Sequence, residues 1–508
     1  MNKLVKLGHK VINEFENKEI PFYYYLLTFL FAINLRDFLE LFSDRVSFDI
    51  LYFMHYNMYY VSIGLSLILL FYFATKEDIM KISRVILPSF LVLLLTPLLD
   101  LVISLGKGYH LAYINFSNNG QSILIKYLTF FGRFNGIGVT YGQRIEIALI
   151  LIASFIYFFI KNKNLIKSLF FTFLEYTIIF LSGVMPLYIE LFFKVINIST
   201  EYSPENMMQF YLIFSFFIGL ILFAIAKTDY LIELVKDIRI FRVMHYILMF
   251  VFGMLLVKIY NPIPFMLHQD IIYDVILVII SIILACIFSL ITNNFADYKI
   301  DLISNKNRPL VSKSIPKNVY NVMAWVVLVL AILSAAYVNL QTMFFILVFI
   351  GVYFLYSMPP LRLKRVPFVS KFMIAFNALL FIMMGYYYFL KTVFVPFEII
   401  AYFLVFFTLA INVIDIKDYE GDKVNNIMTL PTLLGLKVSK HMIGFFVLLA
   451  YIMPYFMFDF VKQSHFFILF FAGLIQYFLI NRKNYVEQHF FAFYIFTLVI
   501  GLGYLAIL

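Results

Sequence analysis

Apolar runs of about 20 residues, each broken by a short polar cluster, recur from one end of this 508-residue chain to the other. A helix crossing roughly 30 Å of hydrocarbon needs about 20 mostly apolar residues. Six runs of that length lie near residues 20–42, 53–75, 83–105, 143–162, 168–190 and 209–227. Nine more lie near 243–260, 272–294, 319–338, 342–357, 370–390, 397–414, 440–458, 464–480 and 488–507. The pattern predicts an all-α, multispanning integral membrane protein of about 15 transmembrane helices. The most polar hinge, TDYLIELVKDIRIFR from Thr228 to Arg242, separates the group of six from the group of nine. The expected domains are therefore a six-span domain over 1–240 and a nine-span domain over 241–508.

The basic residues orient these spans. With the N-terminus placed in the cytoplasm, loops on that side carry Lys76, Lys81 and Arg84, then Lys161, Lys163 and Lys167, then Lys227, Lys236, Arg239 and Arg242. In the second half the same side carries Lys299, Lys306, Arg308, Lys313 and Lys317, then Arg362, Lys364, Arg365 and Lys371, then Lys417, Lys423, Lys437 and Lys440. The opposite loops of that half hold little beyond Lys258, Lys391 and Lys462. That asymmetry is the positive-inside signature, and it holds only if the span count alternates correctly. The expectation is a plasma-membrane protein with its N-terminus and basic loops cytoplasmic.

Composition narrows the function classes. Hydrophobic residues make up 63% of the chain and charged ones 13%, against about half and a quarter in soluble domains. A soluble enzyme, a disordered scaffold and a disulfide-rich secreted module are excluded. The net charge of +10 sits in short loops and forms no basic face with interleaved aromatics, so nucleic acid is not an expected partner; the bilayer is. The single cysteine, Cys286, lies in an apolar helix and excludes Cys-based metal sites. The first 21 residues are mixed-charge and amphipathic and lack a small-residue cleavage site, so no removed signal peptide is expected.

Two acidic clusters carry the candidate chemistry, because ionisable groups beside lipid are costly and mark functional positions. The first, Asn293-Asn294-Phe-Ala-Asp297-Tyr-Lys-Ile-Asp301, ends the second span of the nine. Asn293, Asp297 and Asp301 repeat at i, i+4, i+8, which on a helix is one face about 12 Å long. The second, Asp415-Ile-Lys-Asp418-Tyr-Glu420-Gly421-Asp422, ends the sixth span. Asp415, Asp418 and Asp422 again share a helical face, on the same side of the membrane. Facing carboxylates repel unless a cation lies between them, and hard oxygen donors suit Mg²⁺ completed by substrate phosphates. Beside them run basic loops, with Arg308 and Lys313 in SNKNRPLVSKSIPK and Arg362, Lys364 and Arg365 in YSMPPLRLKR. Such bases are suited to a leaving diphosphate.

The series NNxxDxxxD, NRPLVSK, YSMPPLRLKR, DxxDxxGD and TLPTLLG resembles the UbiA-type intramembrane prenyltransferases over roughly residues 243–508. The resemblance implies a nine-helix UbiA-like bundle and Mg²⁺-dependent transfer of a polyprenyl group from its diphosphate to a small acceptor. It implies Asn293, Asp297 and Asp301 as the first metal-diphosphate motif and Asp418 and Asp422 as the second, with Asp415 a neighbouring acid. It further implies Arg308, Arg362, Lys364 and Lys423 as diphosphate contacts, and Tyr356 as the opening of a substrate-covering loop. Thr429, Leu430 and Pro431 resemble the stop after the second motif. Position 294 departs from the family, which often carries Asp there. Tyr298, Tyr356 and Phe376 are candidate shelters for an allylic cation.

The first 240 residues carry no comparable series of motifs. Their unusual charges are Arg36, Asp37, Glu40, Asp100, Glu146 and Glu175, of which Asp100 and Glu175 are expected to face other helices or water. Residues 106–143, polar and Gly-rich, are expected to form a re-entrant or interfacial element. Two other readings of the whole chain are a secondary transporter, whose sites sit at the bilayer midplane on broken helices, and a catalytically inactive lipid-binding relative. The span-end position of the acids disfavours the first and the intact Asp pairs the second.

Overall fold

The computed structural model of this protein describes residues 2–44, 48–116, 120–261, 268–424 and 427–507. Fourteen of the described helices are long and apolar enough to cross a membrane, and each falls on one of the expected spans. The remaining expected span, near 20–42, is also helical, as Phe22–Ser43. It falls outside the fourteen because polar residues, Arg36, Asp37 and Glu40 among them, dilute its apolar run. The chain is an all-α, multispanning membrane protein. It forms two compact units, Met1–Thr228 with Leu267–Asp274, and Asp229–Met266 with Val275–Leu508. The division at residue 228 moves residues 229–240, expected in the first domain, into the second unit. Within that unit Asp237 is bonded to Asn294, Arg308 and Tyr320.

In the first unit the intramembrane charges are all taken inside. Arg36, Asp37 and Glu40 are about 1% exposed or less. The guanidinium pairs with Asp37 at 3.0 Å and Glu40 at 3.1 Å and lies over the rings of Tyr56 and Tyr60. Ser154 donates to Glu175 at 2.8 Å, Thr96 donates to Glu146, and the Gly142 amide donates to Asp100 at 2.8 Å. Asp100 and Glu175 thus face neighbouring helices, as their cost in lipid requires. The polar segment 106–143 forms small local elements. These are the parallel strands His110–Leu111 and Ile137–Gly138 and the helix Ile123–Leu128. Arg144 anchors this segment by donating to the carbonyls of Phe130, Phe131, Gly132 and Val139.

The second unit is built on two helices that meet almost backbone to backbone, Ile240–Tyr260 and Val369–Leu390. Gly253 permits this approach, because a Cβ there would stand 2.0 Å from the Ile382 carbonyl oxygen. Gly385 does the same, with 2.1 Å to the oxygen of Phe250. Without a hydrophobic drive between helices in lipid, such close packing at small residues is what holds helix pairs together. Tyr246, Phe349 and Phe381 fill the core beside it, all 2% exposed or less, with ring centroids 4.9–5.2 Å apart.

These contacts predict a clear contrast. Gly385→Ala should destabilise the detergent-solubilised protein by about 1–3 kcal/mol through overpacking. Gly351→Ala should leave the thermal midpoint unchanged, since a Cβ at Gly351 meets nothing within 4 Å. Equal midpoints for the two variants in a thermal unfolding assay would contradict the packing described.

Candidate functional site

The first acidic motif straddles the end of the helix Gln269–Ala296. That helix stops at Ala296, and a short helix, Tyr298–Ser304, begins directly after Asp297. Asn293, Asp297 and Asp301 are therefore spread over two helices that meet at Asp297. The ladder is nevertheless carried through the break, since the Asp297 amide donates to Asn293 and the Asp301 amide to Asp297, both at 2.9 Å. The second motif occupies the helix Asp415–Val424. It is reached through a π-helical stretch, Tyr402–Phe407, and a 3₁₀ turn, Ile411–Ile414. Winding changes of this kind re-aim side chains and recur near functional sites.

Both motifs line one cavity of about 480 Å³. Asn293, Asp297 and Asp301 contribute from one wall, and Asp415, Asp418, Glu420 and Asp422 from another. Arg308, Tyr356 and Lys364 line it too. Arg362 stands behind that lining, with Nη2 on Asp297 Oδ1 at 2.5 Å and on the Ala296 carbonyl at 3.3 Å. Its backbone φ of 45° turns the side chain back on the motif. Lys423 departs from expectation. It follows Asp422 by one residue, so its side chain leaves the helix about 100° away; its ammonium lies 5.7 Å from the Tyr419 ring, and it does not line the cavity. Tyr298 and Phe376 are also absent from the lining, while Tyr246 and Tyr353 are present.

Cations of the chain itself hold several of the acids. Lys364 donates to Asp297 Oδ1 and Oδ2 at 2.6 and 2.5 Å and to Asn293 Oδ1 at 3.1 Å. Ser357 also donates to Asn293. Lys371 donates to Asp415 at 2.6 Å. Burial works to raise the pKa of Asp297, but Lys364 and Arg362 outweigh it and hold the carboxyl below its ordinary value. Asp301 goes the other way, raised by burial ahead of the opposing hydrogen bond from Asn305.

Asn294 has a different task from its neighbours. It is 1% exposed and bonds to Asp237, Tyr320 and Arg308 and is not part of the lining. Sequence reasoning missed Asp237 in this network and did not single out Arg239, Arg242, Lys371 and Lys417, all four of which line the cavity. The available signal was their place at span ends on the same membrane face, where positive-inside loops hide individual bases.

Among the described residues no three His, Cys, Asp or Glu side chains form a group able to hold a metal ion by themselves. Mg²⁺, however, is usually bound through one or two carboxylates together with substrate phosphates and water. The donors present are all hard oxygens, and one of them, Asp301 Oδ2, is buried without a hydrogen-bond partner. That donor set fits the ion. The Cys286 thiol faces the same cavity with Ile287 and Leu290, which gives the polar mouth an apolar continuation along the helix.

Comparison with known proteins places this site in context. The model of the UbiA prenyltransferase family matches residues 247–500, half of the chain. Among curated proteins, the digeranylgeranylglyceryl phosphate synthase of Thermococcus sibiricus is 30% identical over 169 residues, 32% of this chain and 57% of that protein. The synthase of the same name from Methanobrevibacter smithii is 28% identical over 172 residues, 32% of this chain and 60% of that protein. The chain thus spans less than two thirds of the length of these curated relatives. Among solved structures, a UbiA homologue from Archaeoglobus fulgidus bound to GPP and Mg²⁺ aligns with a TM-score of 0.44 at 19% identity, covering 55% of this chain and 98% of that one. The apo structure of a UbiA homologue from Aeropyrum pernix aligns with a TM-score of 0.42 at 17% identity, covering 53% and 98%. With half its length matched by the family model, and with both acidic motifs lining one cavity together with basic side chains, this chain belongs to the UbiA prenyltransferase family.

Proposed function

We propose that the protein is a Mg²⁺-dependent prenyltransferase that moves a polyprenyl group from an allylic prenyl diphosphate to a small aromatic or hydroxyl acceptor within the membrane. The observation that carries this reading is the convergence of the two aspartate motifs and the basic side chains on one cavity. The curated relatives are named for a product that joins isoprenoid and glyceryl phosphate parts, which favours a hydroxyl acceptor bearing a phosphate. The charge asymmetry of the loops supports a site at the cytoplasmic face of the plasma membrane.

In this reading Asp297, Asp301, Asp418 and Asp422, with Asn293, would hold Mg²⁺. The ion supplies charge stabilisation to the departing group when bound. Lys364, Arg362 and Arg308 donate hydrogen bonds to diphosphate oxygens, so the electron pair of the allylic C–O bond leaves with a stabilised anion. Tyr356, at the end of the helix Leu340–Ser357, covers the substrate. The acceptor's nucleophilic atom captures the allylic cation and then loses a proton. Ile287 and Leu290 give the isoprenoid tail an apolar wall beyond the charged mouth.

Two measurements test the reading. Asp297→Asn and Asp418→Asn should each lower transfer of a radiolabelled prenyl group into extractable lipid at least about 100-fold, the usual cost of losing a charge-stabilising group. Both variants should remain folded in the membrane, and full activity in both would overturn the site assignment. Separately, EDTA should abolish transfer by the native protein and added Mg²⁺ should restore it; turnover that persists in EDTA would remove the metal from the proposal.

A further inference from the structure

Arg308 enters the cavity wall from a loop, where a long guanidinium side chain would ordinarily sample many rotamers at an entropic cost to any ligand it meets. Here one of its nitrogens is held twice. Nη1 donates to Asp237 Oδ1 at 3.0 Å and to Asn294 Oδ1 at 2.7 Å. Asn294 in turn donates through Nδ2 to Asp237 Oδ2 at 2.6 Å and to the Tyr320 hydroxyl at 2.9 Å. That hydroxyl is 3.4 Å from Asp237 Oδ2, to which it donates. The four side chains close a ring, and Asn294 and Tyr320 are 1% and 0% exposed.

We infer that Asp237, which lies outside both aspartate motifs, is a positioning residue that together with Asn294 clamps Arg308 by a single nitrogen and presents the rest of its guanidinium to the diphosphate. This rests on the prenyl-transfer reading. Asp237 ends the helix Thr228–Asp237 and Asn294 lies at the end of the helix Gln269–Ala296, so the clamp draws on two separate elements that precede the loop. An Arg fixed before the ligand arrives loses less freedom on binding than one that must be ordered by it.

The chemistry of the ring is asymmetric in a way that can be exploited. Asn294 has to accept from Arg308 and donate to Asp237, which an amide does and a carboxylate does not. A second carboxylate at position 294 would lose the Nδ2 bond and set two negative charges side by side. If both residues are exchanged, every bond of the ring can be remade, the two from Arg308 in the same direction and the three among 237, 294 and Tyr320 reversed. An amide at 237 accepts from Arg308 and donates to the carboxylate at 294, which accepts from Arg308 and from Tyr320.

The test uses the full-length protein in liposomes, with kinetics on a prenyl diphosphate donor. Asp237→Asn should raise the apparent KM for the donor about tenfold, the usual size for a lost charge-assisted hydrogen bond, and leave kcat within about threefold. Asn294→Asp should raise it at least as much. The exchanged double variant, D237N/N294D, should return KM to within about threefold of the native value. A native KM in Asp237→Asn, or a double variant no better than the single ones, would overturn the inference. If Asp237→Asn yields no folded protein, the double variant carries the test alone: native KM supports the clamp, and a raised KM or loss of fold overturns it. Should the native protein transfer no prenyl group at all, the enzymatic reading falls on its own. The clamp is then decided by Mg²⁺-pyrophosphate, whose stabilisation of the native protein against heat should be weaker in Asp237→Asn and regained in the double variant. Equal stabilisation of all three overturns the clamp.

Discussion

The carboxylate of Asp297, set at the end of a long apolar helix and gripped by Lys364 and Arg362 at 2.5–2.6 Å, is the contact on which the site depends. A bare charge there would be held close to hydrocarbon at a cost of several kcal/mol. The surrounding bases remove that cost and also set what the site can accept. Six acids line the cavity, Asp297, Asp301, Asp415, Asp418, Glu420 and Asp422, and six bases, Arg239, Arg242, Arg308, Lys364, Lys371 and Lys417. The balance means that a lone anion or a lone cation would upset the local neutrality, whereas a diphosphate arriving with its metal can trade partners. On the proposed function Lys364 would turn from the Asp297 carboxylate to a phosphate oxygen, leaving that carboxylate free to hold the metal. On the function proposed above, binding therefore replaces one set of desolvated ion pairs by another, which keeps its electrostatic cost low.

The closeness of the two motifs is set by packing far from either of them. The second motif sits on a helix whose winding changes twice before Asp415, and the buried Asn412 side chain donates to the carbonyls of Thr408 and Leu409 within that irregular stretch. Lys371, which holds Asp415, stands in the first turn of the same helix that Gly385 seats against Phe250. The glycine contact fixes the helix Val369–Leu390 against Ile240–Tyr260, and the ion pair carries that placement to the second motif. Arg239 and Arg242, at the start of Ile240–Tyr260, are positioned by the same contact.

Much of this was legible in the order of residues. Each apolar run is a helix, because backbone polar groups in lipid must be satisfied within the segment. The i, i+3, i+7 spacing of Asp415, Asp418 and Asp422 reads correctly as one face, since that helix is regular from Asp415 to Val424. At Asp297 the helix is interrupted for one residue, but the i to i+4 hydrogen bonds of Asp297 and Asp301 continue through it, and Asn293, Asp297 and Asp301 all line the same cavity. Lys423 lies outside the cavity lining, because proximity in sequence to Asp422 says nothing about angle around the axis. Asp237 was hidden for a different reason. Its partners lie 57 to 83 residues away, and in a polar hinge it is indistinguishable from a solvated acid until the fold brings Asn294, Arg308 and Tyr320 to it.

Two kinds of buried polar network now stand side by side, and their degree of satisfaction separates them. In the ring around Asn294 every amide and carboxylate atom has a partner, and a fully satisfied network of this type rigidifies what it contains. Around Asp297 the accounting does not close. Asp301 Oδ2 and Arg362 Nε are buried with no hydrogen-bond partner, although each stands within a few residues of groups that are paired. Buried unsatisfied groups are few in stable structures because each one costs about 1–3 kcal/mol. Of the two, Asp301 lines the cavity, and an open carboxylate oxygen there is the complement of a ligand that brings positive charge. On the proposed function, the open oxygen lies where the metal-bearing ligand would bind and the closed ring holds the wall beside it; Arg308 belongs to both, as a member of the ring that lines the cavity.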